Sequence, residues 1–139
     1  MPETSTEVRR QMRISARPET VYSYFTDPAK YVRWKGVEAR LEPTPGGEYW
    51  VRVDDTHVAS GRFVEVVPNS RLVFTWGWEG DSQVPPGSST VEVTLAPEGS
   101  ATLLTVVHRD LPNEKAIAIH AEGWDFFLPR LVEVAGGSA

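Results

Sequence analysis

Apolar and polar residues alternate over short runs through the middle of the chain, as in β-strands that bury one face. Clusters of Gly, Pro, Asn, Asp and Ser separate the runs, notably at 45–47, 68–70 and 97–100, which is typical of turns between antiparallel strands. The alternating apolar positions are Tyr49/Val51/Val53, Leu72/Phe74/Trp76/Trp78 and Val91/Val93/Leu95. The pattern predicts an antiparallel sheet with one buried face.

One segment, 57–67, does not follow a single alternation. Val64 and Val66 share one parity, whereas Phe63 and Val67 share the other. A β-bulge, which adds one residue to a strand, is consistent with this pattern, and so is burial of both faces. The sequence leaves both interpretations open.

The N-terminal part predicts one strand, Val8–Ile14, followed by two short helices at about Pro18–Thr26 and Pro28–Trp34. Each helix begins with a proline in its first turn, where the missing N–H costs nothing. Asp27 is a candidate cap for the second helix because its carboxylate can accept a hydrogen bond from a free backbone N–H.

The last segment returns to helical spacing, with Asn113 as a candidate cap and Gly136 as a candidate stop. Pro129 lies inside this helix and predicts a kink or a local opening there. The apolar stripe consists of Ile117, Ala121, Trp124, Leu128 and Leu131. A stripe of this length must be buried, and the inner face of the sheet is the large apolar surface available. We therefore predict an α+β fold in the order β-α-α-β-β-β-β-β-β-α, with a curved antiparallel sheet of about seven strands wrapped around the long C-terminal helix.

Length and charge narrow the class of protein. The chain has 139 residues, a net charge of −5 and no cysteine. This predicts one domain spanning 1–139, with about 7–135 ordered, a short tail at 1–6 and a frayed end at 136–139. Scattered basic residues argue against nucleic-acid binding. We expect a cytoplasmic protein, since the sequence contains neither a signal peptide nor an apolar run long enough to span a membrane.

No motif for catalysis or metal binding stands out. The three histidines, His57, His108 and His120, do not form metal-ligand spacings, and there is neither a nucleophile elbow nor a phosphate loop. The sequence therefore predicts no catalytic residue, no metal and no cofactor, and it favours a function other than catalysis.

Several segments together resemble a known superfamily. Pro45-Gly46-Gly47, for example, resembles its "G-G" turn, and Arg71–Trp76 resembles its "R-L-V-F-T-W" strand. The matching segments, in chain order, are Ala16–Tyr22, Thr26–Pro28 with Arg33–Trp34, Pro45–Gly47, Gly61 with Glu65–Pro68 and Arg71–Trp76, Thr102–His108, and Gly123–Trp124 with Leu128 and Leu131. They resemble the START-like (SRPBCC, helix-grip) superfamily, and within it the branch named for the activator of heat shock protein 90 ATPase.

The resemblance implies a helix-grip (Bet v 1-like) fold with a ligand cavity between the sheet and the last helix. The superfamily includes lipid carriers, hormone receptors and polyketide cyclases, so the resemblance implies no single activity. Two positions depart from the family pattern. Lys35 stands where the family usually has a second tryptophan, and Pro129 interrupts a helix that normally has no proline.

The candidate pocket-lining residues are those of inward parity on the sheet, those on the helix stripe or next to it, and the tryptophan of the "R-W" signature. They are Arg10, Trp34, Trp76, Trp78, Leu104, Val106, His108, His120, Trp124 and Leu128. The tryptophans fit either core packing or an aromatic-lined cavity. Arg10, His108 and His120 fit either satisfied interior or rim groups or polar contacts that orient a ligand. The stretch 79–89 fits either a solvated loop or a flap at the cavity mouth.

Three functions are consistent with these observations. Binding of a small apolar or aromatic molecule, as a carrier or sensor, ranks first. A polyketide cyclase or aromatase type of enzyme ranks second and needs a titratable group over the ligand, for which His108 and His120 are candidates. A role as a chaperone cofactor ranks third, since no exposed docking face is evident. A homodimer through an exposed strand edge or the Pro-rich loop is left open.

Overall fold

The structure is a computed structural model that describes residues 7–136, so the predicted tail at 1–6 and residues 137–139 lie outside it. The element order is the predicted one, with seven strands and three helices in this range. The elements are β1 Val8–Ile14, α1 Pro18–Thr26, α2 Pro28–Tyr31, β2 Glu38–Leu41, β3 Glu48–Arg52, β4 Val58–Val67, β5 Arg71–Trp76, β6 Ser89–Glu98, β7 Ala101–Arg109 and α3 Glu114–Gly136.

The seven strands form one antiparallel sheet in the order β1-β7-β6-β5-β4-β3-β2. Neighbours in sequence are neighbours in space from β2 to β7, as in a meander, and β1 pairs with β7 at the opposite edge. Trp76 lies opposite Ser89, and Val91 lies opposite His108. This register places the last residues of β5 beside the His108 end of β7 and so prepares the site described below. The predicted α+β fold is confirmed.

The segment 57–67 contains a bulge rather than a strand buried on both faces. The register between β4 and β5 shifts between Phe63 and Glu65. Phe63 is fully buried, whereas Val64 is exposed. The extra residue reverses the parity of the strand, which explains why neither alternation fitted the whole segment.

Both helix caps predicted from the sequence are present. The Asp27 carboxylate accepts a hydrogen bond from the Ala29 N–H at 2.9 Å, and the Asn113 side-chain oxygen accepts one from the Ala116 N–H at 2.9 Å. Helix α2 ends at Tyr31, three residues earlier than predicted, and the chain continues as a tight turn to Lys35.

Helix α3 continues through Pro129 to Gly136 and packs on β1 and α1. The C-terminal half of its predicted stripe is confirmed, but the N-terminal half is shifted by one residue. Ile117 and Ala121 are only partly buried, and the positions that face the sheet are Ala116, His120, Trp124, Leu128 and Leu131. The predicted stripe ran through Ala121, one residue after His120, which was a candidate pocket residue. Both ring nitrogens of His120 have hydrogen-bond partners, which makes its burial acceptable.

Candidate functional site

The site is centred on Lys35, which the turn after α2 directs into the interior. The Lys35 N–H donates to the Tyr31 carbonyl at 2.9 Å, and Gly36 then takes a positive φ of 87°. A Cβ at Gly36 would lie 2.8 Å from the Arg52 carbonyl oxygen, so only glycine fits this approach to β3. Because the backbone is fixed on both sides of it, the lysine side chain enters the core and is only 4% exposed.

Three aromatic rings surround the Lys35 amine. Its Nζ lies 4.2 Å from the ring centre of Trp76, 4.1 Å from that of Trp124 and 5.5 Å from that of Phe127. We call Trp76, Trp124 and Phe127 the aromatic cage. Within residues 7–136, Nζ makes no hydrogen bond and no ion pair, so the ring faces are the groups that stabilise its charge. Burial lowers the pKa of Lys35 to about 7.

His108 lies next to the aromatic cage, and both of its ring nitrogens form hydrogen bonds. The Trp124 indole N–H donates to His108 Nδ1 at 3.1 Å, so the ring proton is on Nε2, which donates to Ser89 Oγ at 2.8 Å. Ser89 Oγ in turn donates to the Trp76 carbonyl at 2.8 Å. Burial lowers the pKa of His108 well below its usual value, and the nearby charges of His120 and Lys35 lower it further.

Both ring nitrogens of His120, on α3, also form hydrogen bonds. The Trp78 indole N–H donates to its Nε2 at 3.0 Å, and its Nδ1–H donates to the Ala116 carbonyl at 2.7 Å. Burial lowers the pKa of His120 and Lys35 adds to this effect, although Ala116 and Asp81 oppose it. Both histidines are therefore neutral at pH 7, and each fixes the orientation of a tryptophan.

A small cavity of about 60 Å³, the lysine cavity, adjoins Lys35. An open groove of about 490 Å³, the rim groove, lies next to it between the loop 79–88 and the start of α3. The two spaces share Trp78, Ile119 and His120 as a common wall. Movement of this wall would join the lysine cavity to the rim groove.

The loop 79–88 packs on the start of α3. The Trp78 N–H donates to the Val84 carbonyl at 2.7 Å, and the Val84 side chain is buried. The Asn113 amide donates to Gln83 at 3.1 Å. The loop therefore forms one side of the rim groove, where the predicted flap would lie.

Four of the predicted residues line the lysine cavity, namely Trp76, Trp78, His120 and Trp124. The ring of His108 is 4.8 Å from that of His120, directly behind the lining. Others lie elsewhere in the core, outside this lining: Trp34, Leu104, Val106 and Leu128. Trp34 packs on Phe25 and Tyr31, and its N–H donates to the Tyr24 carbonyl.

Arg10 lies at the edge between β1 and α3, not in the lysine cavity. It forms an ion pair with Asp125 at 2.7 Å, and both side chains are substantially exposed. The Arg10 side chain, which the alternation on β1 predicted to point inward, is thus paired at the rim with the Asp125 carboxylate from α3.

Sequence reasoning missed five lining residues. They are Lys35, Val53, Ile119, Gly123 and Phe127. A signal for Lys35 did exist, since a charged residue occupies a position where the family has tryptophan and therefore a buried, apolar environment. Val53 has the inward parity of its strand but was not chosen as a pocket residue, and Gly123 belongs to the family signature. Ile119 and Phe127 carried no signal, because they lie beside the predicted helix stripe rather than on it.

The described part of the chain shows two further features. No group of three or more His, Asp or Glu side chains in residues 7–136 is arranged to hold a metal ion. None of the helices in this range is long and apolar enough to cross a membrane.

The seven-stranded curved sheet, the two short helices after β1 and the long C-terminal helix over the sheet define a helix-grip protein of the START-like superfamily. A sequence model of the family described as "Activator of Hsp90 ATPase homolog 1-like protein" matches residues 15–136, and the chain belongs to that family. No curated protein sequence matches the chain.

Three solved structures are similar to this chain over most of its length. An AHSA1-like protein from Rhizobium etli is 46% identical, over 98% of this chain and 88% of that one, with a TM-score of 0.76. DynU16, a protein of the dynemicin biosynthetic locus, is 27% identical over 96% of this chain and 48% of that one, with a TM-score of 0.83. An HSP90 activator from Plasmodium falciparum is 20% identical over 95% and 97% of the two chains, with a TM-score of 0.79, a likeness that shows the fold alone.

Proposed function

We propose that this protein binds a small aromatic or apolar molecule between α3 and the sheet, as a carrier or sensor. The observation that carries the proposal is the lysine cavity with the rim groove beside it, because together they offer aromatic faces and the Lys35 amine, which has no hydrogen-bond or ionic partner within residues 7–136. Ligand sites commonly combine a mainly apolar lining with a few polar groups that orient the ligand.

The sizes of the two spaces indicate how binding would occur. The lysine cavity, at about 60 Å³, is far smaller than the roughly 300–1,000 Å³ of typical ligand pockets, whereas the rim groove, at about 490 Å³, falls in that range. We therefore place the body of the ligand in the groove against Trp78 and Ile119. Deeper entry requires the wall of Trp78, Ile119 and His120 to move.

Tryptophan fluorescence tests this function. A panel of naphthyl and phenyl carboxylates, phenols and amides is titrated into the wild type, Trp78→Phe and Trp50→Phe. Trp50 is the matched control, since it lies outside both spaces. We expect saturable quenching that Trp78→Phe reduces and Trp50→Phe retains. The absence of any saturable response would contradict ligand binding and favour a protein partner.

The predicted role of His108 and His120 in orienting the ligand is tested in the same titration. All four of their ring nitrogens already have protein partners. His108→Ala and His120→Ala would therefore alter binding mainly by releasing Trp124 or Trp78. Native mass spectrometry of protein purified from its own host would identify a molecule that remains bound.

A second candidate is an enzyme of cyclase type. The likeness to DynU16 supports it, as does the Lys35 amine, whose pKa of about 7 suits proton transfer near neutral pH. Its test is incubation with aromatic polyketide-like substrates followed by mass spectrometry of the products. A product formed by the wild type but not by Lys35→Met would favour this candidate over a carrier.

A further inference from the structure

The interior around Lys35 contains hydrogen-bond donors without acceptors. Lys35 Nζ has no hydrogen-bond or ionic partner within residues 7–136. The indole nitrogen of Trp76 is also buried without a partner. The acceptor nitrogens of His108 and His120 are occupied by Trp124 and Trp78. Since buried polar groups in folded proteins are nearly always paired, this arrangement lacks an acceptor.

The Lys35 amine also lacks an anionic partner among residues 7–136. A buried cation normally has an anionic partner. Here the nearest compensation for Lys35 comes from the faces of the aromatic cage. Such faces attract a cation but accept no strong hydrogen bond from it. An anionic oxygen in the lysine cavity would supply both the missing charge and the missing acceptor.

We propose that Lys35 binds the carboxylate of an aromatic acid whose ring lies in the rim groove against Trp78. This inference rests on the proposed function and gives it a ligand class. The lysine cavity is large enough for a carboxylate group, at about 60 Å³ against roughly 30 Å³ for one water molecule. The lysine cavity and the rim groove share the wall of Trp78, Ile119 and His120. Once this wall moves, one ligand spans both spaces, with its ring in the groove and its carboxylate at Lys35.

The protonation state of Lys35 makes the proposal testable by pH. In the free protein the pKa of Lys35 is about 7, because burial disfavours the charged amine. A carboxylate binds the charged form, so its affinity falls as the pH rises above 7, by at most tenfold per pH unit for one proton. The other titratable or charged groups that face this region are His108 on β7, His120 and Lys115 on α3, and Asp81 in the loop. The lowered pKa of each histidine keeps both neutral above pH 7.

The experiment compares an acid with its neutral analogue. Binding of 2-naphthoate and of 2-naphthamide is measured by calorimetry at pH 6.5, 7.5 and 8.5 for the wild type, Lys35→Met and Lys115→Met. Methionine keeps the length and apolar character of the lysine stem. Lys115, which lines the rim groove, is the matched control for a nearby positive charge.

We expect the wild type to bind 2-naphthoate about tenfold or more tightly at pH 6.5 than at pH 8.5, and to bind 2-naphthamide equally at both. Lys35→Met should lose at least tenfold in affinity for the acid and all of its pH dependence, while it retains the amide. Lys115→Met, which alters the lining of the rim groove, should retain the wild-type pH dependence of 2-naphthoate binding, because Lys35 is intact.

Two results would overturn the inference while leaving the proposed function in place. One is that Lys35→Met binds the acid as well as the wild type does. The other is that Lys115→Met, rather than Lys35→Met, loses the acid, which would place the carboxylate at the rim. If Lys35→Met does not fold, the pH profile of the wild type decides, since a flat profile also overturns the inference. If neither the acid, the amide nor any compound of the fluorescence panel binds the wild type, the proposed function itself fails.

Discussion

The inner face of β5 has two ends that are equally aromatic and very different in character. At one end Phe74 stacks on Tyr49, with ring centres 4.2 Å apart, and Phe63 packs against both. The hydroxyls of Tyr49 and Tyr31 are hydrogen-bonded to each other. At the other end Trp76 borders a cavity and the Lys35 amine, which has no hydrogen-bond or ionic partner among residues 7–136.

The difference shows that aromatic content alone does not distinguish a core from a site. Trp76 follows Phe74 on the same face of the strand, yet of these two ends it is the Trp76 end that combines unfilled space with polar groups that lack a partner in the described part of the chain. At the Phe74 end the buried hydroxyls of Tyr31 and Tyr49 are hydrogen-bonded to each other, so neither needs a ligand as a partner. The predictions below test whether this division is real.

The largest expected effect comes from removing one ring at each end. Phe74→Ala and Trp124→Ala should each destabilise the protein by roughly 3–5 kcal/mol, because each leaves a buried cavity. Urea denaturation measures both. At saturating 2-naphthoate, Phe74→Ala should gain only the stability that ligand binding gives the wild type, because Phe74 lines neither the lysine cavity nor the rim groove. Trp124→Ala should gain more, because the ligand also fills the space left by the indole. A Trp124→Ala variant that melts within about two degrees of the wild type would show that Trp124 is not core.

Replacing the buried charge should stabilise the protein. The pKa of Lys35 falls from 10.5 to about 7 on folding, which corresponds to roughly 5 kcal/mol as an upper limit. We expect Lys35→Met to gain roughly 2–4 kcal/mol at pH 7, since loss of the interaction with the aromatic cage offsets part of the gain. No comparable gain is available at the Phe74 end.

The pH dependence of that gain follows from the two protonation states. Below pH 7 the lysine is charged in both folded and unfolded protein, so the cost of burial is complete. Between pH 7 and 10.5 the unfolded state binds more protons, so wild-type stability rises, and above 10.5 the cost is gone. The advantage of Lys35→Met should therefore shrink from pH 7 to 10. A variant less stable than the wild type at pH 7, where the amine is still charged, would mean that the cage interaction exceeds the burial cost.

A lower pH should reduce the stability of the protein through the two histidines at the Trp76 end. Because burial lowers the pKa values of His108 and His120 in the folded state, the unfolded state takes up their protons first as the pH falls below about 6.5. Stability should then fall by at most about 1.4 kcal/mol per pH unit for each histidine. His120→Gln keeps an acceptor for Trp78 and should reduce this slope in urea denaturation between pH 7 and 5. An unchanged slope would assign the acid sensitivity to other groups.

A smaller effect is expected for the hydrogen bond in the wall of the lysine cavity. Trp78→Phe removes the N–H that donates to His120 and should cost roughly 1 kcal/mol. Trp50→Phe, on the outer part of the sheet, should cost less. Equal losses for the two variants would indicate that the Trp78–His120 contact adds nothing to stability.

The smallest effect concerns the rim. The Arg10–Asp125 pair is largely exposed, so Asp125→Asn should change stability by less than about 1 kcal/mol. Arg10→Met should also leave 2-naphthoate binding unchanged, because Arg10 lies outside the lysine cavity and the rim groove. Weaker binding by Arg10→Met would restore Arg10 as a ligand contact.

Much of the fold was predictable because it depends on local patterns. The period-two runs, the caps at Asp27 and Asn113, and the helical spacing around Trp124 each reflect interactions between residues close in sequence. The bulge in β4 was recognisable as a conflict of parity, but only pairing with β5 located it between Phe63 and Glu65. That His120 rather than Ala121 faces the sheet depends on a donor–acceptor match with Trp78, which follows β5 and is distant in sequence, so the helical spacing alone did not show it.

The sequence by itself therefore determined the element order, the buried face of most strands and the helix that closes over them, since periodicity and capping act within a few residues. It also placed Lys35 where the family has tryptophan. Only the tertiary structure decided that β5 is closely packed at Phe74 and borders a cavity at Trp76, and that the Lys35 amine has three rings around it and no acceptor among residues 7–136. The reason is that hydrogen-bond satisfaction and residual space depend on groups that meet only after α2, β5 and α3 have packed together.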